Sequence, residues 1–378
     1  MKSSTGILVD GELRRELGTW IRPVEGAPPI APAQVQPASL DLRLGPTAYR
    51  IRAGFLPDRK PGRRMEERLA DLATSSVSLE GDGGVLERGL VYMVALEEEL
   101  ELPDECSARF NPRSSTGRCD LFTRVLVPGH PRFDETPRGY AGKLWLEVAP
   151  LSFPVRLHRG DRLAQLRLQR GRAGLTGDEL RAVHRETPLC FEGGRALPEK
   201  ELHFDEDGAI AMRIGLRGRN PCGWRAALHT DVLRFRETAV HSREDFWEPV
   251  HARSDGCILD PGRFYIFASR ESIRIPPLLA AEMLPIDVGI GELRNNYAGF
   301  FDSGFGWSEE GSRKGTPAVL EVRAHDVPFL IEDGQVFFRL RFFRTAERPE
   351  RLYGEGRGGR SYGEQDLTLA RPFQASSS

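Results

Sequence analysis

Gly84-Val85-Leu86-Glu87-Arg88-Gly89-Leu90-Val91-Tyr92-Met93-Val94-Ala95, running on to Pro103, reads against Cys257-Ile258-Leu259-Asp260-Pro261-Gly262-Arg263-Phe264-Tyr265-Ile266-Phe267-Ala268, running on to Pro276. The offset is 173 at Tyr92/Tyr265 and again at Pro103/Pro276. Farther along, Leu146-Glu147-Val148, Pro154, Gly160 and Leu166 line up with Leu320-Glu321-Val322, Pro328, Gly334 and Leu340, now at an offset of 174. Separated apolar runs that keep register over this distance mark a duplicated domain.

Each copy has the period of a strand. Leu144, Leu146 and Val148 alternate with Lys143, Trp145 and Glu147, and Phe337, Arg339, Arg341 and Phe343 interleave with Phe338, Leu340 and Phe342. Glycine and proline, 40 and 27 of 378 residues, exceed their usual combined share of about 12 %. They punctuate the apolar runs every ten residues or so, as in a sandwich or barrel rather than in βαβ units. The expectation is an all-β protein.

One stretch departs from this period. Thr176-Gly177-Asp178-Glu179, ahead of Leu180 and Val183, has the shape of a capping box and predicts a short helix over Leu175 to His184. At about 150 residues per domain, the length allows two or three domains. The chain is read as a first β-domain over 1–170, a helical linker over 171–204, a second β-domain over 205–347 and a mobile tail over 348–378. The Pro/Ala stretch from Val24 to Pro37 is a loop, and the Gly/Arg-rich tail lacks the apolar residues for a core of its own.

Lys and Arg number 53 against 55 Asp and Glu, so no global field draws the chain to nucleic acid or anionic lipid, and any anion site must be local. Only five cations are lysines, a bias best ascribed to codon usage. The five cysteines are scattered with no C-x-x-C pair, which points to reduced, structural residues. No apolar window reaches the ~18 to 20 residues of a membrane span. The opening Met1-Lys2-Ser3-Ser4-Thr5 has no signal-peptide pattern, and the expected location is the cytoplasm.

Arg113-Ser114-Ser115 follows a strand ending near Phe110 and precedes Gly117. A planar guanidinium, two short hydroxyls and exposed backbone N–H groups are what a phosphate chain needs, although a solvated surface turn carries the same letters. The surrounding run Leu100-Glu101-Leu102-Pro103-Asp104-Glu105-Cys106-Ser107-Ala108-Arg109-Phe110-Asn111-Pro112-Arg113-Ser114-Ser115-Thr116-Gly117-Arg118 resembles the dCTP deaminases of the trimeric dUTPase-like superfamily. That family carries a strand, a Leu-Pro-Asp turn and Arg-Ser-Ser with a second Arg three residues on, here Arg118. Upstream, Gln36 to Gly45 is similar to the family's first strand, with its buried Asp at Asp41. Downstream, Gly142 to Glu147 is similar to the strand ending in the deaminase glutamate, and Pro154-x5-Gly160-x4-Gln165-Leu166 to the hairpin that follows. The likeness covers most of residues 36 to 170.

The resemblance implies two tandem dUTPase-like β-clip/barrel domains. It also implies hydrolytic deamination of dCTP to dUTP and ammonia, with Mg2+ carried on the triphosphate. Glu147 is then general base and proton shuttle, Ser114 and Arg118 orient water and stabilise charge, and Arg113, Ser114 and Ser115 hold phosphates. Asp134 is the sugar-site candidate, since Arg132-Phe133-Asp134 is the counterpart of Phe300-Phe301-Asp302 in a loop resembling the superfamily's nucleoside-binding loop. Asp302 is either a relic or a contributor to a shared site. The tail, with Tyr353, Tyr362, Gln365 and an Arg360 near the family's lysine position, resembles the C-terminal arm that folds over the triphosphate.

Zinc-dependent base deaminases use H-x-E with P-C-x-x-C. Here Arg225 stands three residues beyond Cys222, and no zinc is expected. A structural glutamate in a salt bridge is the plain alternative for Glu147, because Glu321 repeats it. Only the first copy has Arg-Ser-Ser, however, so catalysis is assigned to Glu147 and structure to Glu321. Two other functions stay open: a bifunctional enzyme that also hydrolyses dUTP to dUMP and pyrophosphate, and a non-catalytic nucleotide-binding regulator. Family members are trimers with pockets between subunits, which implies a homo-oligomer, either a trimer or a pseudo-hexameric arrangement of domains.

Overall fold

The computed structural model of the chain describes residues 5–56, 65–254, 256–285, 293–295, 299–310, 314–324, 326–355 and 366–374. Strands dominate. The chain divides into two units that alternate along the sequence: a front unit of 10–171, 228–246 and 370–378, and a rear unit of 1–9, 172–227 and 247–369.

In the front unit, strand Leu40–Ile51 pairs antiparallel with Arg162–Arg170 and with Val91–Glu101. Val91–Glu101 pairs in turn with Ala141–Pro150, and Ala141–Pro150 with Leu121–Leu126. The alternation expected for Ala141–Pro150 is present, and Leu144, Leu146 and Val148 are fully buried. The opposite face is covered as well. Trp145 packs in a cluster with Ile51, Met93, Leu126 and the helix residues Met65 and Leu69. The strand face that carries Trp145 thus packs against helix Met65–Leu72. That helix was not expected, although Met65, Leu69 and Leu72 carry its i, i+4, i+7 spacing.

The rear unit repeats the register pair by pair. Tyr92↔Val148 and Met93↔Glu147 in front match Tyr265↔Val322 and Ile266↔Glu321 behind. Leu166↔Leu40 matches Leu340↔Ile210, and Val155↔Leu86 matches Leu259↔Phe329. Side chains repeat too. The Tyr92 hydroxyl accepts the Glu87 N–H at 3.0 Å, and the Tyr265 hydroxyl the Asp260 N–H at 2.9 Å. Arg43 gives its backbone N–H and Nε to the two oxygens of Glu98 at 2.8 and 2.6 Å, and Arg213 does the same to Glu271 at 2.8 and 2.5 Å. Burial pushes the Glu98 carboxyl up, against the pull of Arg43. This pair recurs because both sheets bury a carboxylate at one point, where an unpaired charge is costly.

The predicted helix spans Gly177–Glu186, capped by Thr176, whose side chain accepts the Glu179 N–H at 3.3 Å while Glu179 accepts the Thr176 N–H at 2.8 Å. The helix belongs to the rear unit, and so does the stretch read as a linker from residue 172 onward. Two other segments depart from the linear division. Residues 228–246 return to the front unit, where Leu233–Arg234 adds a parallel strand to Val155–Leu157. The tail, read as mobile, packs where it is described: Phe373 is buried against Phe153, Phe246 and His241. Leu369-Ala370 and Phe373 supply apolar surface that the Gly/Arg composition of the tail conceals.

Candidate active site

Arg113-Ser114-Ser115 forms one helical turn, Ser114–Gly117, with Arg113 as its N-cap and Arg118 as its C-cap. The turn is tied to strand Arg162–Arg170 twice, since Leu163 O accepts both the Arg113 N–H at 2.9 Å and the Thr116 hydroxyl at 2.8 Å. Ser114 is exposed, whereas Ser115 and Arg118 are buried. Within the turn, the Thr116 and Gly117 N–H groups both bond Arg113 O, at 2.8 and 3.0 Å, and the Arg118 N–H bonds Ser114 O at 3.1 Å.

Arg113 is held from behind. Its Nε lies 3.2 Å from Asp41 Oδ1 and its Nη1 donates to Arg162 O at 3.3 Å. Asp41 is fully buried and also meets Arg162 Nη1 at 3.4 Å and Gln165 Nε2 at 3.1 Å. One carboxylate thus restrains two guanidinium groups, both part-exposed at 19 and 29 %. The rear unit has Ala211 in the register position of Asp41, opposite Arg339 instead of Gln165. The anchor is missing there, as is the Arg-Ser-Ser sequence; the run Ile286 to Ile290 that corresponds to it lies outside the described residues.

Glu147 is 2 % exposed. Its partner is Arg124, directly across on the neighbouring strand, whose Nε and Nη2 both donate to Oε1, at 3.0 and 2.5 Å. The salt bridge named as the plain alternative is therefore real, but it uses one oxygen only. Oε2 is buried and has no hydrogen-bond partner among the described residues. The Arg124 guanidinium lies 4.0 Å from the Phe133 ring centroid and 5.0 Å from that of Phe122. Next to Phe133, Asp134 has a left-handed backbone (φ 61°) and accepts the Val125 N–H through Oδ1 at 2.7 Å. The sugar-site candidate is thereby linked through Val125 and Phe133 to the Arg124–Glu147 pair.

Arg124 was not singled out in the sequence, because an Arg in an alternating strand carries no signal until its cross-strand neighbour is known. Tyr353 lies in the rear unit, with its N–H on Ser303 O at 2.8 Å and its ring 5.4 Å from that of Phe305. Arg360, Tyr362 and Gln365 lie outside the described residues. Asp302 and Glu321 are buried in the rear unit. The sequence does contain one H-x-E run, His184-Arg185-Glu186. Both nitrogens of His184 are engaged by backbone, Nε2 on Leu197 O at 2.8 Å and Nδ1 on Leu189 N–H at 3.2 Å.

Two family models match the chain in tandem. The 2'-deoxycytidine 5'-triphosphate deaminase (DCD) N-terminal domain matches residues 4–172, and the C-terminal domain of the same family matches residues 176–373. The chain belongs to the dCTP deaminase family. It is similar to the dUMP-forming dCTP deaminase of Methanobrevibacter smithii, 31 % identical over 136 residues, which is 35 % of this chain and 65 % of that protein. The match therefore spans slightly less than two thirds of that relative. It is 32 % identical over 183 residues to the dCTP deaminase of Halorubrum lacusprofundi, 48 % of this chain and 78 % of that one. The crystal structure of 2'-deoxycytidine 5'-triphosphate deaminase from Agrobacterium tumefaciens matches at a TM-score of 0.80 and 44 % identity, over 90 % of this chain and 99 % of that one. Two domains of one deaminase family on one all-β chain agree with the duplication read from the strands. No helix among the described residues is long and apolar enough to cross a membrane.

Proposed function

We propose that the front unit deaminates dCTP, taken up as its Mg2+ complex, to dUTP and ammonia without zinc. The observation that carries this reading is the buried Glu147 carboxylate with Oε1 paired and Oε2 unpaired, in a chain of the dCTP deaminase family. A buried polar atom left unpaired costs about 1–3 kcal/mol, and such an atom in a native fold calls for a reason.

The chemistry needs one proton acceptor that later becomes a donor. Glu147 takes a proton from water as the hydroxide oxygen bonds to C4 of cytosine, and delivers it to N3. It then moves a proton from the new hydroxyl to the amino nitrogen, the C4–N4 bond breaks, and ammonia leaves. Arg118 and Ser114 orient the water and balance charge at the ring. Arg113, held by Asp41, takes triphosphate oxygens with Ser114 and Ser115, and Asp134 meets the deoxyribose. Tyr353, Arg360, Tyr362 and Gln365 are assigned to substrate binding by the likeness of the tail to the family's C-terminal arm. The working form is a homo-oligomer, a trimer or a pseudo-hexameric arrangement of domains.

A second reading adds hydrolysis of dUTP to dUMP and pyrophosphate, and it is favoured by relatives named dUMP-forming. Incubation with Mg2+ and each of dCTP, CTP, dCMP and dUTP, scoring ammonia and pyrophosphate separately, divides the readings. Ammonia from dCTP alone supports the proposal, and pyrophosphate from dCTP selects the bifunctional enzyme. Nucleotide binding with no turnover of any substrate replaces both with a regulator. Glu147→Gln should remain folded and release no ammonia, and Glu321→Gln should retain turnover.

A further inference from the structure

The two oxygens of Glu147 stand in different surroundings. Oε1 takes both donors of Arg124, and Oε2 is shielded from solvent with no partner among the described residues. Oε2 points at Gly54. A Cβ built on Gly54 would stand 2.3 Å from Oε2 and 3.3 Å from Arg124 Nη2. Gly54 itself is exposed, and its backbone lies against this oxygen. Nothing in the local backbone demands glycine, since Gly54 is not among the residues of positive φ. What excludes a larger residue here is the carboxylate.

Arg124 is restrained in its turn. Its guanidinium lies on the Phe133 ring, and Phe133 is followed by Asp134, whose carboxylate and backbone both bond Val125, the residue after Arg124. A planar guanidinium giving two N–H groups to one oxygen fixes that oxygen in position and direction, which a flexible ammonium does less well.

We infer that Arg124 is a positioning residue that pins Oε1 of Glu147 so that Oε2 alone carries the proton, and that Gly54 is kept free of a side chain because a Cβ there would collide with Oε2 and displace the carboxylate. This rests on Glu147 being the proton shuttle. If Oε1 were released, the carboxylate could rotate and either oxygen could face the substrate, so the well-aligned fraction would fall. A methyl at Gly54 would collide with Oε2 and push the carboxylate off Arg124.

The test uses the full chain with Mg2+ and dCTP, measuring kcat and KM for ammonia release together with thermal melting. Arg124→Gln should lower kcat by about 10- to 100-fold, at or below the lower end of the ~10²–10⁴ that a general acid–base group itself contributes, with KM changed by less than about threefold. Arg124→Lys, which keeps the charge, should recover part of that loss. Gly54→Ala should lower kcat similarly while melting near the parent. If Glu147→Gln is inactive but Arg124→Gln and Gly54→Ala keep kcat within about twofold, the positioning role is wrong and the shuttle stands. Should Glu147→Gln itself turn over normally, the shuttle is wrong and the positioning role falls with it. Where Arg124→Gln does not fold, Gly54→Ala decides, and a parental kcat in that variant overturns the inference.

Discussion

At the scale of single residues, the proposed phosphate end of the site depends on a carboxylate buried from solvent. Asp41 is fully buried and faces Arg113 and Arg162. Removing its charge leaves Arg113 free to swing, so Asp41→Asn should raise KM for dCTP by about tenfold while kcat changes little, the pattern of lost ground-state binding. The stability cost should be about 1–3 kcal/mol, below the ~3–5 of a fully buried pair, because both guanidinium groups are partly solvated. Steady-state kinetics and urea denaturation measure the two effects. Unchanged KM would show that Arg113 does not need this support. The sequence made Arg113 and Asp41 separately visible as motif residues. Their contact is visible only in the sheet, where residues 72 positions apart share one edge.

At the scale of elements, helix Gly177–Glu186 was legible from Thr176 and Glu179 because capping is local chemistry. The helix also carries a titratable group whose role is not local. A carbonyl only accepts and a backbone N–H only donates, so the bonds of His184 to Leu197 O and Leu189 N–H fix a neutral ring with its proton on Nε2. Burial pushes its pKa below 6.5. A histidine held neutral contributes stability that is full above its unfolded pKa, about 6.5, and is lost as pH falls through that value toward the depressed folded one. Melting temperature should therefore drop as pH falls below about 6.5 in the parent, with a shallower drop in His184→Gln. His241 of the front unit is shifted the same way by burial, so the variant should lose only part of the slope. Identical slopes would mean that His184 charges without cost. Helix Met65–Leu72 shows the opposite case: its apolar spacing was present in the sequence, but its position over Trp145 depends on the front sheet.

At the scale of the whole molecule, the chain is a duplication whose two units are not cut at one point. The front unit is completed by 228–246 and by Phe373, both far downstream of its sheets. Phe153, Phe246 and Phe373 are buried together. Phe373→Ala should accordingly destabilise the front unit by about 3–5 kcal/mol, as for other buried Phe→Ala changes, and reduce deamination at temperatures the parent tolerates. Differential scanning calorimetry, which resolves separate transitions where two units melt apart, checks this. An unchanged transition would show that the tail adds nothing to the front core. Period-two strands made the two β-units legible, but the segment exchange was not. Leu233–Arg234 is two residues long and has no period to read, and the apolar residues near 370 stand behind a Gly/Arg-rich run.

The sequence by itself determined the repeat, the all-β character and the capped helix, because each rests on spacing within a few residues or on register between two copies, while the Arg-Ser-Ser turn and Glu147 were singled out by resemblance to a family. Tertiary structure decided what each of those groups touches. It set Asp41 behind Arg113, paired Arg124 with one oxygen of Glu147, laid Gly54 against the other, and returned the chain's last described residues to the front unit. Such contacts depend on cross-strand register and on packing between segments far apart in the chain, and neither is written in any local pattern of residues.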